Sequence, residues 1–207
     1  GRTQLERYTR GLECEYTTRT LVDNDWAYSW QKYYKPLSIG ERLYVVPQWE
    51  REEPVPQGRV PFYLNPGLTF GTGSHASTQL CLEGVEAHTR QGDRVLDLGC
   101  GSGILSIAAL VLGAERASAV DIDPKAVAIA RANAEKADVE DAVRFEVADA
   151  AAFRRDAPYG RVVTNPPYGE RILEKREAEE LYRAFGRAVR TLPEGWRVSV
   201  LSSHTEF

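Results

Sequence analysis

"VLDLGCGSGILSIAAL", residues 95–110, is the stretch on which the reading of this chain turns. An apolar run of strand length stops at Leu98, glycines follow at alternate positions, Gly99, Gly101 and Gly103, and an apolar segment of helical period begins at once. Strand, tight turn and helix follow one another with no spare residue between them. Glycines in such a turn adopt φ angles that other residues avoid and let the backbone pass close to a ligand, so the junction is predicted to be both a fold element and a binding element.

Working outward, apolar runs of strand length alternate from Asp93 onward with segments of helical period, which predicts a doubly wound, mostly parallel α/β sheet. Strands are expected at 94–98, 117–121, 143–149, 161–165 and 196–202, and helices at 103–112, 124–137 and 175–191. The last helix carries Leu181, Tyr182, Phe185, Val189 and Leu192 as one apolar stripe. A further helix, about 75–89, precedes the first strand, with Leu80, Cys81 and Val85 as its inner face and Thr72 or Ser74 near its start. Residues 1–60 read as an N-terminal extension or linker, crowded with Tyr16, Trp26, Tyr28, Trp30, Tyr33, Tyr34, Tyr44 and Trp49, and residues 61–207 as the folded domain. The stretch "PVPQGRVPFYLNPG" (54–67) is a proline-punctuated connector between them.

The ligand class follows from spacing. A dinucleotide fingerprint would read G-x-G-x-x-G around a pyrophosphate, which argues against an NAD-linked oxidoreductase; here the pattern is D-x-G-x-G-x-G, opened by Asp97. A carboxylate at that point repels a phosphate and suits an ammonium group. Asp121, in "VDIDP" at the end of the second strand, stands where an acidic side chain takes both ribose hydroxyls, and Asp149, in "EVADA", where one accepts from an adenine amino group. An ammonium, a ribose and an adenine without phosphate describe S-adenosylmethionine.

The fourth strand runs into "RVVTNPPYGERI" (161–172), where two prolines remove two donors and end it. At the switch point of an open α/β sheet, Asn165 would face the reacting methyl group. Its side-chain carbonyl and the Pro166 carbonyl are placed to hold the hydrogens of an acceptor amine, Pro167 fixes the turn, and Tyr168 is placed to stack on a planar acceptor.

Charge and composition bound the rest. In 207 residues, 26 Lys and Arg face 30 Asp and Glu, and the net charge of -4 supplies no general attraction to nucleic acid. Cys14, Cys81 and Cys100 are odd in number and lack paired spacing, which reads as a reducing compartment, the cytoplasm. His75, His88 and His204 stand far apart, so no metal site is expected, and no apolar run reaches the roughly 20 residues a membrane span needs. Starting at Gly1 and holding no methionine, the chain reads as a trimmed or engineered piece.

At these residues the chain resembles the class I methyltransferases, whose Rossmann-like fold it would share without the last two strands. "LVDNDWAYSWQKYYKPLSIGERLYVVPQW" (21–49), "LNPGLTFGTGSHASTQLCLE" (64–83) and "VLDLGCGSGILSIAALVLGA" (95–114) resemble the ribosomal protein L11 methyltransferases. That resemblance implies cofactor contacts at Thr78, Gly99, Asp121 and Asn165. "DIDPKAVAIARANAEKADVEDAVRFEVADA" (121–150), "VVTNPPYGERI" and "LYRAFGRAVRTLPEGWRVSVLSS" (181–203) are similar to the THUMP-associated methyltransferases of the guanine 2-amino group in ribosomal RNA. The L11 family would have Asn-Ile-Leu-Ala where this chain has Asn165-Pro166-Pro167-Tyr168, so the two halves read as a chimera or reassembled fragment. The expectation that results is S-adenosylmethionine-dependent N-methylation of a ribosomal component, with a guanine amino group of ribosomal RNA favoured. Lysine and terminal amino groups of ribosomal protein L11 are the alternative, and a cofactor-binding module without catalysis is a third reading.

Overall fold

The computed structural model describes residues 31, 34–65, 71–152, 158–164, 166 and 175–202. The chain divides into two compact units, Gly1–Tyr34 and Lys35–Phe207, and every strand and helix described below belongs to the second.

The centre is a five-stranded parallel sheet. The strand β4 (Arg94–Leu98) lies between β5 (Arg116–Asp121) and β7 (Tyr159–Thr164), with β6 (Val143–Val147) beyond β5 and β8 (Gly195–Val200) beyond β7. In sequence order the chain steps from β4 to β5 to β6 on one side, then crosses to β7 and β8 on the other. The reversal makes the carboxyl end of β4 the switch point at which open α/β sheets bind ligands. β4 can occupy the middle because both of its faces are apolar: Val95 packs into one core cluster, Leu96 and Leu98 into another.

Four helices flank this sheet, and each obeys its own pattern. The helix α1 (Ala76–His88) precedes β4, α2 (Ile104–Val111) joins β4 to β5, α3 (Pro124–Lys136) joins β5 to β6, and α4 (Lys175–Val189) precedes β8. α2 is apolar almost all round, and Ile104 through Leu110 are all buried, as a helix without a polar face must be. α3 begins with Pro124 at its first position and Asp123 as cap, its carboxylate accepting from Lys125 N at 2.8 Å. It buries Ala126, Ala130 and Ala134, small side chains that let it approach closely. α4 buries Ala178, Tyr182, Phe185 and Ala188; Phe185 and Ala188 belong to the second cluster, with Val189 and Leu192 half-buried against it.

The inner face of α1 differs from the sequence expectation. Leu80 is 57% exposed, and the buried positions are Ser77, Thr78, Cys81, Leu82 and Val85. Spacings of three and four from Thr78 reach Cys81, Leu82 and Val85, and Leu80 falls on the outer side of that arc. The cap is His75, whose ring nitrogen Nδ1 accepts from Ser77 N at 3.2 Å, while Thr72 and Ser74 bond to each other at 2.9 Å.

A second, three-stranded sheet falls partly within the segment read from sequence as a linker. β1 (Leu37–Ile39) pairs antiparallel with β2 (Leu43–Pro47), which pairs in parallel with β3 (Val60–Leu64). Ile39, Leu43, Val45, Phe62 and Leu64 are buried in the same cluster as Cys81, Leu82, Ile104 and Ile107, so these strands are part of the main core. Two charged side chains hold the turn between β1 and β2. The Glu86 carboxylate of α1 accepts from Glu41 N (3.0 Å) and Arg42 N (2.5 Å). The Arg59 guanidinium donates to the carbonyls of Ile39 (3.3 Å), Gly40 (3.1 Å) and Leu43 (2.8 Å). Backbone groups that a short hairpin leaves without partners are thereby met by full charges.

Leu43→Ala is expected to cost about 2–5 kcal/mol, the range for emptying a fully buried leucine site. Urea unfolding followed by circular dichroism should show the midpoint of the main transition falling; an unchanged midpoint would return residues 35–60 to the role of linker.

Candidate functional site

The glycine turn leaves β4 at Leu98 and enters α2 at Ile104. Gly99, Gly101 and Gly103 have φ of 73, 54 and 79 degrees, the left-handed region that a side chain resists. Gly99 N and Cys100 N both donate to Val120 O, at 2.8 and 3.0 Å, which ties the turn to the end of β5. Gly101 N donates to the Asp121 carboxylate at 3.0 Å, and the other oxygen of Asp121 accepts from Asp123 N at 2.9 Å. Each oxygen of Asp121 therefore has one protein donor and keeps a free lone-pair direction for a hydroxyl.

A pocket open to solvent lies beside this turn, lined by Gly71, Thr78, Cys81, Gly99, Cys100, Gly101, Ile104 and Leu105. A Cβ built on Gly99 meets no atom within 4 Å, so this glycine faces open space, whereas one on Gly103 would press on Ala130 Cβ at 3.0 Å. One glycine thus leaves room for a ligand, and the other admits a helix.

The sequence-predicted residues divide accordingly. Thr78, Gly99 and Gly101 line the pocket, and Gly103 is the cap of α2. Asp121 stands on the turn itself, and Asp149 is exposed just past the end of β6, where its carbonyl accepts from Ala152 N at 2.9 Å. Ala148 N donates to Asp121 O at 3.0 Å, which brings the ends of β5 and β6 together. Strand β7 ends at Thr164, whose hydroxyl donates to Leu98 O. Pro166 is half-buried; Asn165, Pro167 and Tyr168 lie outside the described residues.

Asp97 is placed differently from an open ammonium acceptor. It is buried, its Oδ2 accepts from Ser106 N (3.2 Å) and Ser106 Oγ (2.8 Å), and its Oδ1 is buried without a hydrogen-bond partner. Burial pushes its carboxyl up to about 7, Ser106 pulls it partly back, and the charge of Asp121 adds to the rise. Burial likewise pushes the Cys81 thiol up to about 11 and raises that of Cys100, so both sulfurs lining the pocket stay neutral near pH 7.

Sequence reasoning did not single out Gly71, Cys81, Cys100, Ile104 and Leu105 as pocket lining. Nor did it single out Ile122, which is 72% exposed between Asp121 and Asp123. A bare apolar side chain between two carboxylates in "VDIDP" was the signal available for Ile122. Among the described residues no group of three His, Cys, Asp or Glu could hold a metal ion, and no helix is long and apolar enough to cross a membrane.

The sequence matches the ribosomal protein L11 methyltransferase (PrmA) family over residues 2–165. The L11 methyltransferase of Ralstonia pickettii is 40% identical over 197 residues, covering 84% of this chain and 63% of that protein. That of Azotobacter vinelandii is 42% identical over 182 residues, covering 87% of this chain and 61% of its own length. The crystal structure of ribosomal protein L11 methylase from Lactobacillus delbrueckii subsp. bulgaricus superimposes with a TM-score of 0.65 at 31% identity, covering 81% of this chain and 79% of that one. The likeness to L11 methyltransferases thus runs past residue 115, where the sequence suggested that it would give way to another family. The chain spans between 41 and 63% of the length of the curated relatives it matches.

The Asp97 carboxyl, raised from 3.8 to about 7, gives a stability profile with a definite sign. The folded state keeps a proton that the unfolded chain releases near pH 4, so the contribution is full below that pH and is lost as pH rises through about 7. Asp97→Asn should flatten the unfolding free energy between pH 4 and 8 and gain on the parent at the alkaline end; parallel profiles in urea titrations would refute the assignment.

Proposed function

This chain belongs to the ribosomal protein L11 methyltransferase family, a family of S-adenosylmethionine-dependent enzymes, and on that premise we propose that it methylates amino groups of ribosomal protein L11. The observation that carries the proposal is the pocket beside the glycine turn, with Gly99 facing open space and Asp121 seated on the turn.

The residues present fit that cofactor. The glycine turn and Thr78 would receive its amino-acid end, Asp121 its ribose hydroxyls, and Asp149 its adenine amino group, with Ile122 offering an apolar surface to the base. Asp97 lies one residue before the turn's entry, and its partnerless Oδ1 is the atom that an ammonium would relieve. When bound, the cofactor supplies a methyl group on a positively charged sulfur. The chain's part is then positional. Asn165 and the Pro166 carbonyl, reached directly from the end of β7, would hold the hydrogens of the acceptor amine so that its lone pair points at the carbon. A neutral amine is needed for that: the two carbonyl acceptors orient it, and an alkyl ammonium would first have to release its proton to solvent.

The relatives named for ribosomal protein L11 favour that acceptor over the ribosomal RNA guanine that the catalytic loop suggested. A guanine amino group remains the second reading for one reason: the chain has Asn165-Pro166-Pro167-Tyr168, a loop with an aromatic ring for a planar acceptor.

Tritium transfer from labelled S-adenosylmethionine, run in parallel on ribosomal protein L11 and on ribosomal RNA, separates the two. Label in the protein alone is expected; label in the RNA alone would reverse the choice of acceptor. Asn165→Ala should lower transfer roughly a hundredfold, the scale for losing one positioned group, while leaving the affinity for S-adenosylhomocysteine within about twofold. Equal loss of both would remove Asn165 from the acceptor side.

A further inference from the structure

Asn133 is polar, 1% exposed and in the last turn of α3, a position where an unsatisfied amide would be costly. Both ends of its side chain are used, and neither touches α3's own backbone. Nδ2 donates to Ser102 O at 3.0 Å, in the heart of the glycine turn, and Oδ1 accepts from Asn65 N at 3.0 Å, at the end of β3. Ser102 in turn donates through Oγ to Gly71 O at 2.6 Å. Asn65 and Gly71, the described residues on either side of 66–70, are therefore both tied to Ser102, one directly and one through Asn133.

The close approach is built in. Gly103 sits against Ala130, one turn before Asn133 on the same face of α3, and any Cβ at Gly103 would crowd Ala130 Cα at 3.2 Å. Gly71 has a φ of +92 degrees, and a Cβ there would lie 2.7 Å from Ser102 Oγ. Gly71 lines the pocket; Asn133 is not among its lining residues.

We propose that Asn133 and Ser102 are positioning residues for cofactor affinity: together they fix the pocket wall at Gly71 against the glycine turn. The inference rests on the reading of that pocket as the cofactor site. It assigns to the pair an effect on how tightly the cofactor is held, exerted through Gly71 and the turn, with no contact to the reacting atoms.

The test is calorimetric titration of S-adenosylhomocysteine into the 207-residue chain and into S102A, N133A, N133D and the S102A/N133A double variant. N133D keeps the acceptor for Asn65 N but sets an oxygen against Ser102 O. Each single variant is expected to raise Kd roughly three- to tenfold, the weight of one hydrogen bond, and to raise the KM for cofactor more than it lowers kcat. The double variant should lose less than the product of the singles, because both ties meet at Ser102. S102A removes only a hydroxyl and decides the matter even where N133A fails to fold. A wild type that binds while S102A and N133D match its Kd overturns this inference alone, as does a drop in melting temperature with Kd unchanged. A wild type that takes up no S-adenosylhomocysteine overturns the proposed function and the inference with it.

Discussion

The carboxyl edge of the large sheet hangs on one carbonyl. Val120 O accepts from Gly99 N and Cys100 N together, and two consecutive donors can converge on one acceptor only where the chain turns sharply. Glycine at 99, 101 and 103, all with positive φ, makes that turn without the penalty a side chain would carry. Once the exit of β4 is fastened to the end of β5, the neighbouring carboxylate, Asp121, is within reach of Gly101 N. The same strand end thus supplies the acceptor that shapes the turn and the side chain that reaches over it.

From that turn the remaining layers take their distances. Gly103 lets α3 come close through its alanines, and α1 places Thr78 and Cys81 on the opposite wall because its buried arc, from Ser77 to Val85, is packed on the same core as the three-stranded sheet. Glu86, one residue past that arc, grips the β1–β2 turn. Residues 35–65 therefore brace the helix that forms one side of the pocket, even though no residue of β1, β2 or β3 lines it.

What the sequence disclosed follows from period. The five strands of the large sheet and the four helices among the described residues were legible to within two residues at their ends, because a buried parallel strand and an amphipathic helix leave unmistakable spacings. The small sheet was not. β1 is three residues long, and β3 contains Pro61, which reads as a breaker; as an edge strand in the order β1-β2-β3, it can do without that donor. Gly99, Gly101 and Asp121 were legible as candidates at the turn because their chemistry is local. Asn133 was not, since an asparagine inside a helix reads as solvent-facing until the fold brings Asn65 and Ser102, 68 and 31 residues away, to its two ends. Asp97 was seen, but whether its carboxylate opens to the pocket or turns to Ser106 is decided by packing alone.

On the proposed reading, cofactor and acceptor fall to different stretches of this chain. The family match covers residues 2–165, taking in the glycine turn, Thr78, Asp121 and Asp149, and the likeness to the Azotobacter vinelandii relative, covering 87% of this chain, reaches beyond that span. On that reading the cofactor belongs to the pocket and Asp121, while Pro166, Pro167 and Tyr168 would shape the surroundings of the acceptor. An amine on a flexible chain and an amine on a flat ring ask for the same two carbonyl acceptors but for different walls around them. Proof of cofactor binding speaks to the first stretch and leaves the second to be judged by its own substrate. An aromatic ring such as that of Tyr168 suits the flat acceptor, and a substitution there is where the two acceptors would part.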